Sequence, residues 1–196
     1  MMKSHEILSR ETVLRAHAFD VVKVNFRLPD GRERAYDLVD HANAVTLLPV
    51  TANGEALLVT QYRIGVGGLL LELPAGVMDA GEQPLESARR ELREETGMDS
   101  AELVSLGGFF MVAGYSNEYM HAYLALDLHE APLEQDEDEF LELERLPLAE
   151  LYRRAWAGEL ADGKTIVTLM LALPELGRRF PGLLAEVGGL GGGAKL

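Results

Sequence analysis

The segment from Gly76 to Met98 constrains this chain more than any other part of its sequence. It reads Gly-x5-Glu-x7-Arg-Glu-Leu-x-Glu-Glu-x-Gly-Met. At ordinary residue frequencies, this set of identities arises by chance on the order of 10⁻⁹ times per register. Charge runs on helices are usually solvated surface, but coincidence is a poor explanation for a pattern of this length. We therefore expect this segment to form a specific structural motif rather than a solvated run of charges.

The middle of this segment predicts a helix. Pro84 suits the first helical turn, and Gly97 suits the position that follows the last turn. Leu85, Ala88 and Leu92 recur at helical spacing and predict an apolar stripe. We expect a helix of about 13 residues that buries this stripe.

Acidic side chains cluster on the same helix and are predicted to lie opposite its apolar stripe. Glu91 and Glu95 are four residues apart with Glu94 beside them, so three carboxylates share one side. Like charges this close repel one another, and a divalent cation relieves the repulsion. Hard carboxylate oxygens suit Mg²⁺ or Mn²⁺. Arg90 precedes Glu94 by four residues and is predicted to pair with it and hold the array in place.

Composition limits the class of protein. The chain has 196 residues, 47% of them hydrophobic, which is enough for one principal domain. Its net charge of −14 repels nucleic-acid backbones and anionic membranes, so neither partner is expected. The absence of cysteine excludes disulfides, thiolate zinc sites and cysteine nucleophiles. Because the sequence shows neither the apolar region of a signal peptide nor a membrane-spanning run, we expect a cytoplasmic protein.

Period-two alternation marks the strands. Residues 22–28 alternate, Pro29-Asp30-Gly31 predicts a turn and residues 32–39 return, so residues 1–41 are predicted to be a strand-rich extension. Such a hairpin is marginally stable alone and must pack on another surface. Asn53-Gly54 lies between two apolar runs and predicts a second hairpin, at the start of the main sheet. Further strands are expected at Leu69–Leu73, Leu103–Phe110, Tyr119–Ala125 and Phe140–Leu146.

The later part of the chain predicts two more helices, at residues 148–156 and 162–173. Asp162 is the expected N-cap of the second helix, and Pro174 is its expected stop. Residues 182–196 are rich in glycine and predict a flexible tail. The main domain is therefore expected at residues 42–181.

The whole pattern resembles the signature of a known family. Nine positions match the Nudix box without a departure: Gly76, Glu82, Arg90, Glu91, Leu92, Glu94, Glu95, Gly97 and Met98. The resemblance implies the α/β class, with an α/β/α sandwich around a mixed sheet and the small N-terminal β unit added to it. It also implies Mg²⁺-dependent hydrolysis of a nucleoside diphosphate linked to another moiety. Two or more ions would be held by Glu91, Glu94 and Glu95.

Residues around the box are similar to one branch of that family, the ADP-ribose pyrophosphatases and nucleoside-diphosphate-sugar hydrolases. Leu71 to Ala75 resembles the strand and turn before the box, where the resemblance implies that the Ala75 carbonyl is a metal ligand. Gln61-Tyr62-Arg63 and the N-terminal extension are also similar to this branch. In this branch the extension commonly forms a domain-swapped homodimer, which would give the marginal hairpin a surface to pack on. The implied reaction converts ADP-ribose to AMP and ribose 5-phosphate.

The general base is predicted on an acidic loop. Hydrolysis of a pyrophosphate needs activated water and a carboxylate to take its proton. In the related branch the base is thought to lie on the loop before the last sheet strand, which here reads Glu134-Gln135-Asp136-Glu137-Asp138-Glu139. We expect Glu137, then Glu139, to be the base, and Glu94 and Arg90 to complete the catalytic group.

Four residues are candidates for substrate binding. Arg63 is predicted as a phosphate clamp, because a guanidinium offers two parallel donors, and a surface or interface ion pair is its alternative role. Arg34 is a second candidate for the clamp, reaching across a dimer. Glu72 is predicted to meet a ribose hydroxyl or the metals. Glu118 is a further site carboxylate, with a structural role at a strand end as its alternative.

One stretch departs from the branch. The related enzymes often carry Ser-Pro-Gly-Phe-Ser-Asp-Glu after the box, where this chain has Val112-Ala113-Gly114-Tyr115-Ser116-Asn117-Glu118. The resemblance implies that this loop lies where the terminal sugar would sit, so nucleotide sugars such as GDP-mannose, or FAD, stay open as substrates beside ADP-ribose. A ligand-sensing Nudix-like domain without hydrolysis also stays open, although no box glutamate is missing. Isopentenyl diphosphate isomerase, which shares the fold, is expected to use a cysteine that this chain lacks.

Overall fold

The computed structural model describes residues 4–134 and 140–182, which form ten strands and three helices. These residues divide into two compact units. One unit contains the residues up to Asn43 together with Phe110–Tyr119, and the other contains Ala44–Phe109 and the described residues from Met120 onward. The N-terminal unit thus includes a segment from the middle of the chain, which the sequence does not indicate.

The N-terminal unit contains a three-stranded antiparallel sheet. Its strands are β1 (Glu6–Arg15), β2 (Asp20–Arg27) and β3 (Glu33–Asp40), and β2 lies in the centre. The predicted alternation is confirmed in β2, because Val22 and Val24 are buried. The predicted turn and return strand are also present, since β2 pairs with β3 along its whole length.

Strand β1 is absent from the sequence prediction, and its register explains why. The pairing with β2 shifts between Ile7 and Ser9 and again between Thr12 and Leu14. Such a shift moves the following side chains to the other face of the strand, which removes the period of two. All ten residues of β1 are also exposed, so it has no buried face to reveal.

Hydrogen bonds tie the middle segment of the chain to the end of β3. The Val39 amide donates to the Tyr115 carbonyl at 2.8 Å, and the Asn117 amide donates to the Val39 carbonyl at 3.3 Å. The Asn117 side chain accepts from the His41 amide at 2.9 Å and donates to Asp40 Oδ1 at 2.5 Å. An ionised aspartate has no donor for Asp40. The two bonds therefore require an amide side chain, which can accept from one partner and donate to the other.

The second unit holds two further sheets and the three helices. Its elements are β4 (Ala44–Pro49), β5 (Glu55–Arg63), β6 (Gly68–Glu72), β7 (Ala75–Val77), α1 (Pro84–Thr96), β8 (Met98–Phe110), β9 (Tyr119–Glu130), β10 (Glu142–Pro147), α2 (Leu148–Trp156) and α3 (Gly163–Arg179). A four-stranded sheet has the order β7-β4-β9-β8, and a three-stranded sheet has the order β10-β5-β6. Strand β4 is parallel to β9 and antiparallel to β7, so the larger sheet is mixed, as predicted.

Helices cover both faces of the four-stranded sheet. Val45 and Leu47 of β4 pack in one apolar cluster with Ala88 and Leu92 of α1. Leu48 belongs to a second apolar cluster with side chains from α2 and α3. Successive side chains of a strand point to opposite faces, so a strand as continuously buried as β4 is typical of a sheet that is covered on both sides. The layers are therefore helix, sheet and helix.

The hairpin predicted at Asn53-Gly54 is confirmed at its turn, where the Gly54 amide donates to the Thr51 carbonyl at 2.9 Å and Val50 forms an antiparallel bridge with Ala56. Beyond that bridge β4 and β5 belong to different sheets. The predicted stop of the last helix at Pro174 was wrong. Helix α3 continues through Pro174 to Arg179. The proline removes the hydrogen bond to the Met170 carbonyl, but Met170 is exposed, so water can replace that donor. Neither α3 nor any other helix in the described part of the chain is long and apolar enough to cross a membrane.

Candidate active site

The acidic pattern lies on β7 and α1, and local contacts fix both ends of the helix. The Gln83 amide donates to Glu86 Oε2 at 3.2 Å, and Pro84 occupies the first turn. Gly97 has a left-handed φ of 70° and donates its amide to the Arg93 carbonyl at 3.1 Å. Residues with a side chain are strained in that conformation, so glycine ends the helix. The predicted bounds of the helix are confirmed.

Two carboxylates of α1, Glu91 and Glu95, are buried beside its apolar stripe, whereas the sequence predicts them opposite it. Glu91 and Glu95 are only 6% and 2% exposed, while Leu85, which was expected in the stripe, is 48% exposed. At about 100° per residue, Glu95 falls between Leu92 and Glu91 on the helix surface. The buried face therefore extends from the apolar residues into the acidic ones. Burial of ionised carboxylates costs free energy unless hydrogen bonds or opposite charges compensate. The contacts of Glu91 and Glu95 must therefore offset this cost.

Gly76 makes room for one of these carboxylates. A Cβ atom at this position would overlap the carboxyl carbon and both oxygens of Glu91. The Glu91 carboxylate thus lies directly against the backbone of β7, in space that a side chain would fill. With a side chain at this position the Glu91 carboxylate would have to move. The φ of Gly76 is not in the left-handed region, so backbone conformation does not account for the glycine.

Arg90 donates hydrogen bonds to three carboxylates of the pattern. It donates from Nε and Nη2 to the two oxygens of Glu82 at 3.1 and 3.0 Å. From Nη1 it donates to Glu91 Oε1 at 2.6 Å and to Glu94 Oε2 at 2.9 Å, so the predicted pair with Glu94 is present. Nη2 also donates to the Val77 carbonyl at 3.1 Å, which ties α1 to β7. One rigid guanidinium therefore orients three carboxylates.

The same contacts set the ionisation of this cluster. Hydrogen bonds from Arg90 lower the pKa of Glu82 from 4.5 to about 2, so this carboxylate stays ionised far below neutral pH. The hydrogen bond of Glu82, with the charge and hydrogen bond of Glu91 and the hydrogen bond of Glu94, raises the pKa of Arg90 against the opposing effect of burial. Three carboxylates around one guanidinium leave the local formal charge negative. That charge favours a bound cation.

The donor set on α1 and β7 fits a hard divalent cation. The carboxylates of Glu91, Glu94 and Glu95 and the Ala75 carbonyl supply the oxygen ligands that Mg²⁺ and Mn²⁺ prefer. The Ala75 amide donates to Glu95 Oε2 at 3.0 Å, which brings these two residues together. Among residues 4–134 and 140–182, no three acidic or histidine side chains converge as a metal cluster. Cation binding therefore requires the carboxylates that contact Arg90 to exchange part of that contact for the metal.

A second charged group joins the ends of β5 and β6 to α3. Arg63 donates from Nε to Glu72 Oε1 at 2.7 Å, and the Lys164 ammonium donates to Glu72 Oε2. The Glu72 side chain is 1% exposed, so both of its oxygens are engaged in the interior. Burial opposes the charge of Arg63, but the hydrogen bond and charge of Glu72, together with the charges of Glu95 and Asp162, outweigh it and raise the pKa of Arg63.

Sequence reasoning missed Lys164 as a member of this group. The sequence does predict Asp162 as the N-cap of α3, and Asp162 Oδ2 accepts from the Thr165 amide at 3.0 Å. Lys164 Nζ lies 3.1 Å from the same Asp162 oxygen, and the residue is only 7% exposed, which is rare for lysine. A lysine in the first turn of a helix, where the helix dipole disfavours a cation, is the signal that could have identified it.

The sequence predicts four further site residues. Arg34 and Glu118 belong to the N-terminal unit. Arg34 is exposed and donates to a neighbouring backbone carbonyl at 2.7 Å, and Glu118 Oε1 lies 4.0 Å from His41 Nδ1. The predicted bases Glu137 and Glu139 fall outside the described residues.

Three comparisons show what this chain is similar to. Residues 40–167 match the model of the NUDIX domain. The ADP-ribose pyrophosphatase of Bacillus subtilis is 33% identical over 168 residues, which cover 84% of this chain and 91% of that protein. The GDP-mannose pyrophosphatase of Yersinia enterocolitica is 31% identical over 177 residues, which cover 83% and 92%. A crystal structure of an ADP compounds hydrolase matches with a TM-score of 0.81 at 28% identity, over 92% of this chain and 98% of that one, which confirms the predicted fold class.

Replacing Gly76 with alanine tests the close contact with Glu91. The methyl group would displace the Glu91 carboxylate, and we expect a loss of about 1–3 kcal/mol in the free energy of unfolding, as at other overpacked sites. Unfolding in urea measures this loss. Gly65→Ala is the matched control, because a Cβ at Gly65 meets nothing within 4 Å. Equal stability of G76A and G65A would contradict the contact.

Proposed function

Because the chain belongs to the Nudix family of hydrolases, we propose that it hydrolyses the pyrophosphate bond of ADP-ribose and releases AMP and ribose 5-phosphate. One observation carries the proposal: Glu91 and Glu94 are gathered on Arg90, next to Glu95 and the backbone of Ala75. An anionic substrate approaches such an acidic cluster only when cations lie between the two. Hydrolysis of a pyrophosphate with bound divalent cations meets that condition.

We assign the metal ligands to Glu91, Glu94, Glu95 and the Ala75 carbonyl. Mg²⁺ is the proposed cation and Mn²⁺ its substitute, with two or more ions at the site. When bound, the cation lowers the pKa of a coordinated water and neutralises charge on the phosphates. Arg90 would keep its bonds to Glu82 and the Val77 carbonyl, and so hold α1 against β7, while Glu91 and Glu94 exchange the guanidinium for the cation.

The chain's own side chains divide the remaining steps. Arg63 donates to a phosphate oxygen from the terminal amino groups of its guanidinium, which holds the diphosphate in place. A water oxygen attacks one phosphorus, the bridging P–O bond breaks, and the departing phosphate keeps the electrons of that bond. The water proton goes to a carboxylate of the acidic loop, which we assign to Glu137 and, failing that, to Glu139.

ADP-ribose is the first candidate among nucleoside diphosphates linked to another moiety. The Bacillus subtilis relative and the similar crystal structure both carry names that specify ADP compounds. GDP-mannose is the second candidate, because the Yersinia relative is named for it and because the segment Val112–Glu118 lacks the proline that the ADP-ribose enzymes often carry. FAD and a ligand-sensing role without hydrolysis are the further alternatives.

A substrate panel tests the proposal. With Mg²⁺, the purified protein is expected to release AMP from ADP-ribose faster than GMP from GDP-mannose or AMP from FAD, as measured by chromatography of the products. Chelation of the cation by EDTA is expected to stop the release, and added Mn²⁺ to restore it. Absence of turnover for all three compounds with either cation would contradict the hydrolase proposal. Fastest turnover of GDP-mannose would instead reassign the substrate.

Variants in the same assay locate the catalytic groups. Glu95→Gln is expected to lower kcat by at least about a hundredfold while α1 stays folded, because it removes a charged ligand oxygen. Glu130→Gln, an exposed residue of β9, is the matched control. A carboxylate base must be ionised to act, so kcat of the wild type is expected to rise with pH as that carboxylate loses its proton. Of Glu137→Gln and Glu139→Gln, the variant that lowers kcat and abolishes this rise identifies the base. Full activity of E95Q would overturn the ligand assignment.

We also propose that the protein is a homodimer that forms through its N-terminal strands. Ile7, Val13 and Leu14 of β1 are each more than half exposed. A strand with apolar side chains and an open edge is a surface on which another chain can pair. Sedimentation velocity is expected to give twice the 21.5 kDa mass of one chain. A single monomeric species at micromolar concentration would contradict the dimer.

A further inference from the structure

Lys164 is a buried cation that the proposed reaction does not use. It is the second residue of α3, and its side chain is 9% exposed. Removing an ammonium from water costs free energy, and the positive end of the helix dipole adds to that cost in the first turn. Nearby groups must therefore compensate for the charge of Lys164.

The compensation comes from a line of alternating charges, which we term the ion chain. It consists of Asp162, Lys164, Glu72 and Arg63, with two positive and two negative charges. Lys164 Nζ lies 3.1 Å from Asp162 Oδ2 and donates to Glu72 Oε2, while Arg63 Nε donates to Glu72 Oε1 at 2.7 Å. The formal charge of the ion chain is therefore zero. Loss of Lys164 would leave two carboxylates against the one guanidinium.

Arg63 is the member of the ion chain that solvent reaches. Its side chain is 41% exposed, compared with 1% for Glu72, 9% for Lys164 and 10% for Asp162. Within the described part of the chain, Arg63 uses only its Nε donor in this ion pair. Its two terminal amino groups are the donors suited to a phosphate. The buried members of the ion chain thus hold one end of the Arg63 guanidinium and leave the other end for a ligand.

The start of α3 has a separate anchor that does not involve Lys164. Thr165 donates from its amide and its hydroxyl to Asp162 Oδ2 at 3.0 and 2.6 Å. Thr165 Oγ1 also accepts from the Leu73 amide at 2.8 Å, which joins α3 to the residue after β6. These bonds fix the start of α3 without the Lys164 side chain, so that side chain is left to contact Glu72.

We propose that Lys164 is a positioning residue for substrate binding. By bonding Glu72 Oε2, it leaves only Glu72 Oε1 to Arg63, so the guanidinium pairs through Nε alone and keeps its terminal amino groups for the diphosphate. Without Lys164, the free oxygen of Glu72 would draw Arg63 into a two-bonded pair and remove those donors from the substrate. This inference rests on the proposed function, in which Arg63 binds a phosphate. The buried pair Lys164–Glu72 then sets substrate affinity without touching the substrate.

Steady-state kinetics with ADP-ribose test this inference. Lys164→Met keeps the length of the side chain without its charge, and it is expected to raise KM about tenfold with kcat changed less than about threefold. Lys164→Arg is expected to restore most of the affinity. Arg178→Gln removes a cation from an exposed ion pair on the same helix and is the matched control. In an Arg63→Gln background, K164M is expected to change KM less than about twofold, because the two residues act through one contact.

A spectroscopic readout separates this inference from the hydrolase proposal. The Arg63 Nε–H resonance, assigned by its loss in R63Q, is expected to shift in K164M and to stay in place in R178Q. An unchanged resonance in K164M would overturn the inference whether or not the protein hydrolyses ADP-ribose. Equal effects of K164M on KM in the wild-type and R63Q backgrounds would also overturn it, since they would indicate a general loss of structure. Absence of hydrolysis by the wild type would count against the proposed function alone.

Discussion

Buried carboxylates on α1 impose the condition that the rest of this site meets. Glu91 and Glu95 lie on the face of the helix that packs against the sheet, where ionised groups cost free energy unless hydrogen bonds and charges compensate. Arg90 offsets part of that cost for Glu91, and the Ala75 amide does so for Glu95. Gly76, which has no side chain, provides the space that the Glu91 carboxylate occupies. Replacement of the carboxylates by apolar residues would make these features unnecessary, which is why a structural role alone explains them poorly.

The stretch of chain that ends at Gly76 connects the two charged groups. Glu72 belongs to the ion chain, and the following amide donates to Thr165 on α3 at 2.8 Å. Two residues later the Ala75 amide donates to Glu95 on α1. A short segment therefore contacts α1 on one side and the start of α3 on the other. The same stretch of backbone thus positions both the Arg63–Glu72 pair and the carboxylates of α1.

The parts of the site that follow from local chemistry could be predicted, and the parts that depend on distant contacts could not. Pro84 and Gly97 act on their own backbone, so the limits of α1 are readable in the sequence. Lys164 is 92 residues from Glu72, and no periodicity reveals that contact. The burial of Glu91 was also missed, because a stripe drawn through apolar residues alone ignores acidic neighbours on the same face. Strand β1 escaped prediction because its register shifts hide the alternation.

We propose that the buried carboxylates of α1 and the adjoining backbone of β7 form one cation site, which anomalous scattering from crystals grown with Mn²⁺ can locate. We expect anomalous peaks at about 2.1 Å from carboxylate oxygens of Glu91 and Glu95 and from the Ala75 carbonyl, with Arg90 still bonded to Glu82. Mn²⁺ bound elsewhere on the protein, with the Glu91 carboxylate still held by Arg90, would show that these groups do not form the cation site.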